Sequence, residues 1–320
     1  MTSIRKARPR SWGIVRLDMA FWLLLLLWLG TMANADVEGN LRGSVVNPGF
    51  GPAPSGPVGR LRLATYNIHW GLGADGVQSL ERTAAVLREM DADIVVLNEV
   101  DVNWRRSGNV DQAAYLAAAA GYPYTYYSPA LRTWASGGLR LSLYGNALLS
   151  RFPVQDARTV RLPTAPGREP RAVLVARVLV GGEPLTVLGT HLGLNQGERL
   201  WQTARLKELA AAEDGPVVLL GDFNAHPWSP ELRQLTDGPA GLVDAHAVAG
   251  SGDGLTFPAH LPLARIDYAF VSQNLAPRVL AVRPWTAGAS DHLPVVVDLA
   301  WPGLDPARPH PASGGLEPGP

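Results

Sequence analysis

Short runs of apolar residues, rich in Val, Ile and Leu, recur along the chain between residues 61 and 301. Continuous apolar runs of this length are typical of strands buried in layered sheets. The predicted strands are 61–68, 94–100, 146–152, 172–180, 185–191, 217–222, 266–271 and 295–299.

Helical spacing of apolar residues separates some of these strands. We predict helices over 79–90, 111–120 and 199–212, and the second lies between Asp111, an N-cap type residue, and Gly121, a C-cap type residue. The Gly/Pro-containing segment 181–184 indicates a hairpin between two strands. Alternating strands and helices, with hairpins among them, predict an α/β layered fold with mixed sheets.

The N-terminus has a different pattern. Basic residues between Arg5 and Arg16 precede an apolar run over residues 19–30, and Ala33-Asn34-Ala35 follows as a small-x-small cleavage pattern. A run of about a dozen residues is typical of a signal peptide and is short for a membrane span. We interpret residues 1–35 as a signal peptide, with an uncleaved anchor at 19–30 as the alternative. Either interpretation predicts an exported protein, periplasmic or secreted.

Two segments are rich in Gly and Pro and carry few large apolar residues. Residues 36–60 are predicted to be a linker, and residues 302–320 a disordered tail. The folded domain is therefore predicted to span residues 61–301, and we expect it to be a monomer.

Charge and composition narrow the classes of function. The chain has no cysteine, which excludes disulfides, zinc-thiolate sites and cysteine nucleophiles. It holds 28 basic and 28 acidic residues, and residues 1–35 contain five of the basic ones and one of the acidic ones. Residues 36–320 therefore carry a net charge of −4. This charge disfavours a nucleic-acid partner, although it does not exclude a local basic patch.

Polar residues stand repeatedly at the ends of the predicted strands. Ligands of α/β folds bind at such sheet edges, so we expect these side chains to converge. Carboxylates in this number, with few histidines and no cysteine, suit Mg²⁺, Mn²⁺ or Ca²⁺ better than Zn²⁺. Amides and histidines beside them can orient a phosphate group and relay protons. The candidates are Asn67, His69, Glu99, His191, Asp222, Asn224, Asp267, Asp291 and His292.

These residues lie in a series of motifs that resembles the endonuclease/exonuclease/phosphatase superfamily, to which deoxyribonuclease I belongs. The motifs occur in the superfamily's order: TYNIH, LNEV, GNALLSRFPV, THLGL, GDFN, RIDY and SDHLPV. The resemblance covers nearly all of residues 61–300 and implies a four-layer α/β sandwich, with two mixed β-sheets packed face to face and helices outside. Details of the motifs are closest to a bacterial exported subgroup.

The resemblance also implies a role for each residue. Glu99, Asn67 and Asp291 are the expected metal ligands, most simply for Mg²⁺. The expected catalytic residues are His191, Asp222, Asn224, Asp267 and His292, in which Asp222 activates water and Asp267 orients His292. The expected substrate-binding residues are Asn67, His69, Asn146 and Arg171.

Several functions fit this set of residues. The leading hypothesis is a metal-dependent phosphodiesterase or phosphatase acting outside the cytoplasm on a phospholipid or a small phosphodiester. Alternatives are an extracellular nuclease and a catalytically inactive secreted binding module. Trp134 and Trp228 fall in loops near the predicted site. Two interpretations of these tryptophans are left open: they form a lipid-facing rim, or they pack in the core.

Overall fold

The computed structural model describes residues 45–46, 58–134, 140–238 and 240–304. The strands are β1 Val45–Val46, β2 Val58–Asn67, β3 Ile94–Val102, β4 Tyr124–Trp134, β5 Leu141–Ser150, β6 Val154–Arg161, β7 Ala172–Val180, β8 Glu183–His191, β9 Val217–Asp222, β10 Val243–Asp244, β11 Asp267–Val271, β12 Val279–Pro284 and β13 Val295–Leu304. The α-helices are α1 Leu80–Met90, α2 Gln112–Ala120, α3 Gln196–Ala211, α4 Pro230–Thr236 and α5 Ala245–Ala249.

The strands form two mixed sheets. The first sheet has the order β1-β4-β5-β3-β2-β13-β12, and the second has the order β10-β11-β9-β8-β7-β6. Each contains one parallel pair at its centre, β2 with β3 and β8 with β9, while their other pairs are antiparallel. The parallel pairs align the C-terminal ends of four strands that carry candidate residues.

Side chains from both sheets pack against one another to form the central core. Leu63 and Val96 of the first sheet belong to the same buried cluster as Val187 and Leu220 of the second. The strands are apolar on both faces because each sheet is also covered on its outer side.

Helices cover the outer faces. Leu87 of α1 and Leu116 of α2 pack on the first sheet, whereas Leu206 of α3 and Leu235 of α4 pack on the second. The predicted four-layer α/β sandwich is therefore confirmed.

The helices α1, α2 and α3 each follow a residue whose side chain accepts a hydrogen bond from the first turn. The Ser79 hydroxyl accepts from the Arg82 amide before α1, and the Asp111 carboxylate accepts from the Ala114 amide before α2. Asn195 does the same for the Glu198 amide, so α3 starts at Gln196, three residues earlier than predicted.

Five of the described strands were not predicted: β1, β4, β6, β10 and β12. β4 lies inside the first sheet, between β1 and β5, and its sequence YTYYSPALRTW is not a continuous apolar run. β6 and β12 are edge strands with mixed exposed and buried positions, so neither presents a continuous apolar run. β1 and the first residues of β2 fall within the predicted linker 36–60, and β13 extends to Leu304, into the predicted tail. Pairing with neighbouring strands orders these backbones despite their Gly/Pro-rich surroundings.

The predicted signal peptide, with the alternative anchor at 19–30, lies outside the described residues, as does the tail from residue 305 onward. Among the described helices, none has both the length and the apolar character needed to cross a membrane.

Candidate functional site

Three predicted residues stand side by side on the second sheet. The Cα of Asp222 at the end of β9 is the register partner of His191 at the end of β8, and also of Asp267 at the start of β11. Because β8 and β9 are parallel and β11 is antiparallel to β9, all three residues reach the same edge of the sheet. All three are also buried.

Gly221 allows this close alignment. Its φ of +156° lies at the limit of the region that favours glycine, and a Cβ here would lie 1.9 Å from the carbonyl oxygen of Thr190 on β8. Any side chain would therefore push β9 away from β8 directly beside His191 and Asp222. The glycine of the GDFN motif is required by this packing.

The first sheet contributes Asn67 and Glu99 to the same edge. Asn67 ends β2 and is paired with Asn98 on β3. The register of β3 against β5 shifts between Leu97 and Val100, and Glu99 within this bulge has a φ of +58°. Bulges often redirect side chains next to active sites, and this one places Asn98 and Glu99 in consecutive positions at the site.

Asn67 joins the two sheets through its side-chain amide. Its Nδ2 donates to Glu99 Oε1 at 3.1 Å and to Asp222 Oδ2 at 3.0 Å. Its Oδ1 accepts from the backbone amide of His69 at 3.0 Å. Asn67 thus holds two carboxylates from different sheets next to each other, in addition to the metal-binding and substrate-binding roles predicted for it.

Asn98 is a site residue that the sequence reasoning missed. Fully buried, it donates through Nδ2 to the Thr190 carbonyl and to Asn146 Oδ1, both at 2.8 Å, and its Oδ1 accepts from the Asp222 amide at 3.1 Å. Its side chain therefore fixes the backbone of both β8 and β9. The only signal in the sequence was its position directly before Glu99.

Asn146, predicted to bind substrate, is buried and engaged at both ends of its amide. Its Oδ1 accepts from Asn98 and its Nδ2 donates to the Ala172 carbonyl at 3.0 Å. The structure places it behind Asn98, where it orients that residue.

His292 faces two carboxylates. Its Nδ1 lies 2.9 Å from Asp267 Oδ2, and its Nε2 lies 3.8 Å from Asp222 Oδ2. Burial by itself would lower the pKa of His292, but the negative charges of Asp267 and Asp222 outweigh burial and raise the pKa to about 10. His292 is therefore positively charged at neutral pH and can donate hydrogen bonds.

His191 has the opposite environment. Its Nδ1 lies 3.2 Å from Nη1 of Arg171, and its Nε2 lies 3.1 Å from Nδ2 of Asn224 and 3.4 Å from Asp222 Oδ2. Burial, and then the positive charges of Arg171 and His292, hold the pKa of His191 well below its ordinary value. His191 is therefore neutral.

Asp222 lies between these histidines. Burial and the charge of Asp267 raise the pKa of Asp222 to about 7, against the opposing effects of His292, the Asn224 amide and Asn67. A carboxylate with a raised pKa is a better proton acceptor than an ordinary one, which suits a group that activates water.

Asp291 and His69 occupy the more open side of the site. Their side chains are 34% and 30% exposed, and His69 Nδ1 lies 3.3 Å from Asp291 Oδ1. Ser290 positions this segment, because its hydroxyl donates to the Asn67 carbonyl at 2.7 Å and accepts from the His292 amide at 3.2 Å. Sequence reasoning missed Ser290, although it precedes both candidates in the SDH motif.

Two sets of residues could hold a metal ion. Ligand atoms of Asp222, Asp267 and His292 lie within 4.8 Å of one another, but His292 would have to lose its proton before it could coordinate a cation. Glu99 and Asp291 fit a metal better: in the described part of the chain, their hydrogen bonds and ion pair use Oε1 of Glu99 and Oδ1 of Asp291, so Oε2 and Oδ2 accept no hydrogen bond. These are hard oxygen donors of the type that Mg²⁺, Mn²⁺ and Ca²⁺ prefer.

Large apolar side chains are exposed on loops next to the site. Leu194 follows His191 and is 77% exposed, Trp228 follows Asn224 and is 70% exposed, and Leu263 precedes Asp267 and is 71% exposed. Because each loop adjoins a strand end that carries a site residue, these side chains lie on the same edge of the sheet as the site. Trp134, the last residue of β4, is exposed as well, at 68%.

Comparisons with known proteins agree with this architecture. The profile of the Endonuclease/Exonuclease/phosphatase family matches residues 64–292. YbhP of Escherichia coli (strain K12) is 31% identical over 256 residues, covering 75% of this chain and 96% of YbhP. The crystal structure of an endonuclease/exonuclease/phosphatase from Beutenbergia cavernae DSM 12333 aligns with a TM-score of 0.64 and 29% identity, over 78% of this chain and 73% of that one.

A yeast enzyme is similar to part of the chain. The inositol phosphosphingolipids phospholipase C of Saccharomyces cerevisiae is 27% identical over 177 residues, which cover 48% of this chain and 34% of that enzyme. The family match spans the segment from β2 to the SDH motif, with every candidate residue inside it. The chain therefore belongs to the endonuclease/exonuclease/phosphatase family of phosphoester hydrolases.

Proposed function

We propose that this chain is a divalent-metal-dependent phosphodiesterase or phosphatase that acts outside the cytoplasm, and that its substrate is a phospholipid or a small phosphodiester. The main support for this proposal is the group of side chains that surrounds Asp222. This carboxylate lies within 3.8 Å of an amide from the opposite sheet and of two histidines in different charge states. Hydrolysis of a phosphate ester needs a proton acceptor for water and donors for the phosphate oxygens, and this arrangement supplies both.

Each residue has a distinct role in this proposal. Asp222 accepts the proton of the attacking water, and charged His292, held by Asp267, donates to a phosphate oxygen. His191, Asn224 and Asn67 position the phosphate from the other side. Arg171 and His69 are the remaining substrate-binding candidates.

A metal ion held by Glu99 and Asp291, with Asn67 beside them, would neutralise charge on the phosphate. We propose that this ion is Mg²⁺. Mn²⁺ or Ca²⁺ could replace it, because both also prefer oxygen ligands.

Two observations support a lipid substrate. The similar yeast enzyme is named for inositol phosphosphingolipids. The exposed apolar side chains Leu194, Trp228 and Leu263 border the site, where they suit contact with a membrane interface. The acidic charge of residues 36–320 argues against DNA or RNA as the substrate.

We further propose that residues 1–35 export the protein as a signal peptide or retain it at the membrane through 19–30, as in an exported bacterial subgroup of the family. Cell fractionation with an antibody to the C-terminus tests this. Recovery of the full-length protein from the cytosol would contradict export, and the size of the exported species separates cleavage from anchoring.

Hydrolysis assays test the enzymatic function. The protein is assayed against bis-p-nitrophenyl phosphate, sphingomyelin, phosphatidylinositol, inositol phosphates and plasmid DNA, with Mg²⁺, Mn²⁺, Ca²⁺ or EDTA. Asp222→Asn should lower turnover by about 10²- to 10⁴-fold. The matched control is Asp214→Asn, which removes an exposed carboxylate just before β9.

The outcome decides among the alternatives. Preferred cleavage of a lipid or small ester, abolished by EDTA and by Asp222→Asn, supports the proposal. Preferred cleavage of DNA would favour the nuclease, and metal-independent turnover would contradict the metal role. Absence of turnover on every substrate would favour a binding module.

A further inference from the structure

The two histidines of the site have different partners at the same ring nitrogen. Nδ1 of His292 faces the carboxylate of Asp267 at 2.9 Å, whereas Nδ1 of His191 faces the guanidinium of Arg171 at 3.2 Å. A carboxylate only accepts hydrogen bonds and a guanidinium only donates them. The two imidazoles must therefore carry their protons differently.

The chemistry of arginine fixes the tautomer of His191. An arginine keeps its proton at all ordinary pH values, so Nη1 of Arg171 must be the donor and Nδ1 of His191 the acceptor. A neutral imidazole that accepts at Nδ1 carries its hydrogen on Nε2. The Nε2–H group is then available to Asp222 Oδ2 at 3.4 Å and to a phosphate oxygen in the site.

Asn224 is a competing donor at the opposite ring nitrogen, because its Nδ2 lies 3.1 Å from His191 Nε2. A neutral imidazole can accept from only one of the two donors, and the charged guanidinium of Arg171 is the stronger one. The Nδ2 group of Asn224 has another acceptor, the Leu192 carbonyl at 3.1 Å. The amide is thus satisfied without His191.

Arg171 is held in place before any substrate binds. Its side chain is 8% exposed, and Nη1 also forms an ion pair of 2.5 Å with Glu169. Its backbone carbonyl accepts from the Leu162 amide at 2.9 Å. The guanidinium is thus held at Nη1, between Glu169 and His191, whereas its buried Nε has no hydrogen-bond partner among the described residues. A buried guanidinium with one nitrogen held in this way is suited to orienting a neighbouring ring.

We infer that Arg171 is a positioning residue that locks His191 as the neutral Nε2–H tautomer, so that His191 serves the reaction as a hydrogen-bond donor without a charge. The catalytic consequence of this inference rests on the proposed function. The tautomer itself does not, since it follows from the contacts of His191. The low pKa of His191 agrees with the neutral form.

Side-chain ¹⁵N–¹H NMR of the full chain, without substrate, tests the tautomer directly. Loss of one imidazole signal set in His191→Gln identifies His191. The expected pattern is an unprotonated Nδ1 and a protonated Nε2. A protonated Nδ1, or a doubly protonated ring at neutral pH, would overturn the inference.

Variants of Arg171 test the cause. Arg171→Met, which removes every donor, should abolish the fixed Nε2–H pattern and shift His191 toward a mixture of tautomers. Arg171→Lys keeps a donor and a charge, and should retain the pattern. The matched control is Arg177→Met, which removes an exposed arginine from β7 of the same sheet. An unchanged His191 pattern in a folded Arg171→Met protein would overturn the role of Arg171.

Kinetics on bis-p-nitrophenyl phosphate provide the functional readout. Arg171→Met should lower kcat by about 10²-fold, with recovery of most of the loss in Arg171→Lys. The charged groups facing His191 are Arg171, Asp222 and His292, so removal of the first should raise the pKa of His191. The neutral form would then be lost earlier as the pH falls, and the acid limb of kcat should move to higher pH.

The two experiments separate the hypotheses. The predicted NMR pattern, lost in Arg171→Met and accompanied by the kinetic change, supports the inference. The same NMR pattern in a protein with no turnover supports the tautomer lock and contradicts the proposed function instead. A loss of activity in Arg171→Met with an unchanged tautomer and pH profile would overturn the inference, and would assign Arg171 to direct substrate binding.

Discussion

Asn67, at the end of β2 in the first sheet, donates a hydrogen bond of 3.0 Å to Asp222, at the end of β9 in the second sheet. The same Nδ2 donates to Glu99 at 3.1 Å. Residues far apart in the chain therefore meet only when the two sheets pack face to face. The integrity of the site and the packing of the sandwich depend on each other.

Glu99→Gln should weaken metal binding while leaving the site's shape intact. The glutamine oxygen can still accept from Asn67, but the negative charge that attracts a divalent cation is lost. We expect the metal concentration for half-maximal activity to rise by at least about tenfold, and calorimetry to show the same loss of affinity. Glu89→Gln, an exposed change on α1, is the control. Unchanged Mg²⁺ and Mn²⁺ affinity in Glu99→Gln would remove Glu99 from the metal site.

Asp267 and His292 should behave as one unit in catalysis. Because Asp267 contacts His292 Nδ1 at 2.9 Å, its effect on the reaction passes through that ring. We expect His292→Gln to lower kcat by about 10²- to 10⁴-fold and Asp267→Asn by a smaller factor.

The double variant, Asp267→Asn with His292→Gln, should be no slower than His292→Gln alone. Steady-state kinetics of the wild type and the three variants measure this coupling. Multiplicative losses in the double variant would show that the two residues act independently.

Asn98→Ala should destabilise the fold. The change leaves the Asp222 amide and the Thr190 carbonyl without their buried partner, and it removes a hydrogen bond from Asn146. Each buried group left without a partner costs about 1–3 kcal/mol, so we expect the free energy of unfolding to fall by roughly 2–6 kcal/mol.

Urea denaturation measures the stability of Asn98→Ala. An unchanged m-value shows that the variant exposes the same surface on unfolding as the wild type does. The exposed change Asn274→Ala serves as the control. A midpoint for Asn98→Ala equal to that of the control would show that Asn98 does not hold the sheets together.

Asp298→Asn should destabilise the protein at neutral pH and less so in acid. Asp298 accepts from the buried Arg62 at 2.7 Å, and removal of one partner of a buried ion pair costs about 3–5 kcal/mol. Burial would raise the pKa of Asp298, but the hydrogen bonds and charges of Arg62 and Arg283 outweigh it and hold the pKa below its ordinary value.

The lowered pKa fixes the sign of the pH dependence. The stability from this pair is present above the unfolded pKa of about 3.9 and is lost as the pH falls through the lower, folded pKa. The difference in urea midpoint between the wild type and Asp298→Asn should therefore stay constant from pH 7 to about pH 4 and become smaller between about pH 4 and pH 3. Asp253→Asn, an exposed change, should track the wild type throughout. A constant difference between wild type and Asp298→Asn down to pH 3 would contradict the assigned pKa direction.

Strands without a continuous apolar run show where sequence patterns stop being informative. The central strands β3, β8 and β9 are covered on both faces, so their apolar runs identify them directly. β4, β6 and β12 contain polar or exposed positions, so they have no continuous apolar run and were not predicted. The layers of the fold could therefore be predicted, but not the full width of either sheet.

The amino-acid sequence by itself indicated most of the side chains that meet at the candidate site, though not Asn98 or Ser290. Asn67, Glu99, His191, Asp222 and His292 could be found because they lie in or beside local motifs next to apolar strands. Only the tertiary structure decided how those residues are supported and charged. The bulge that redirects Glu99 and the buried amide of Asn98 depend on contacts between strands that are distant in sequence. The guanidinium beside His191 comes from the residue before the neighbouring hairpin strand, and the orientation of both side chains is set by the packing around them. The charge of an imidazole depends on its burial and on the sign of the group at its ring nitrogen, and no local pattern specifies which group that will be.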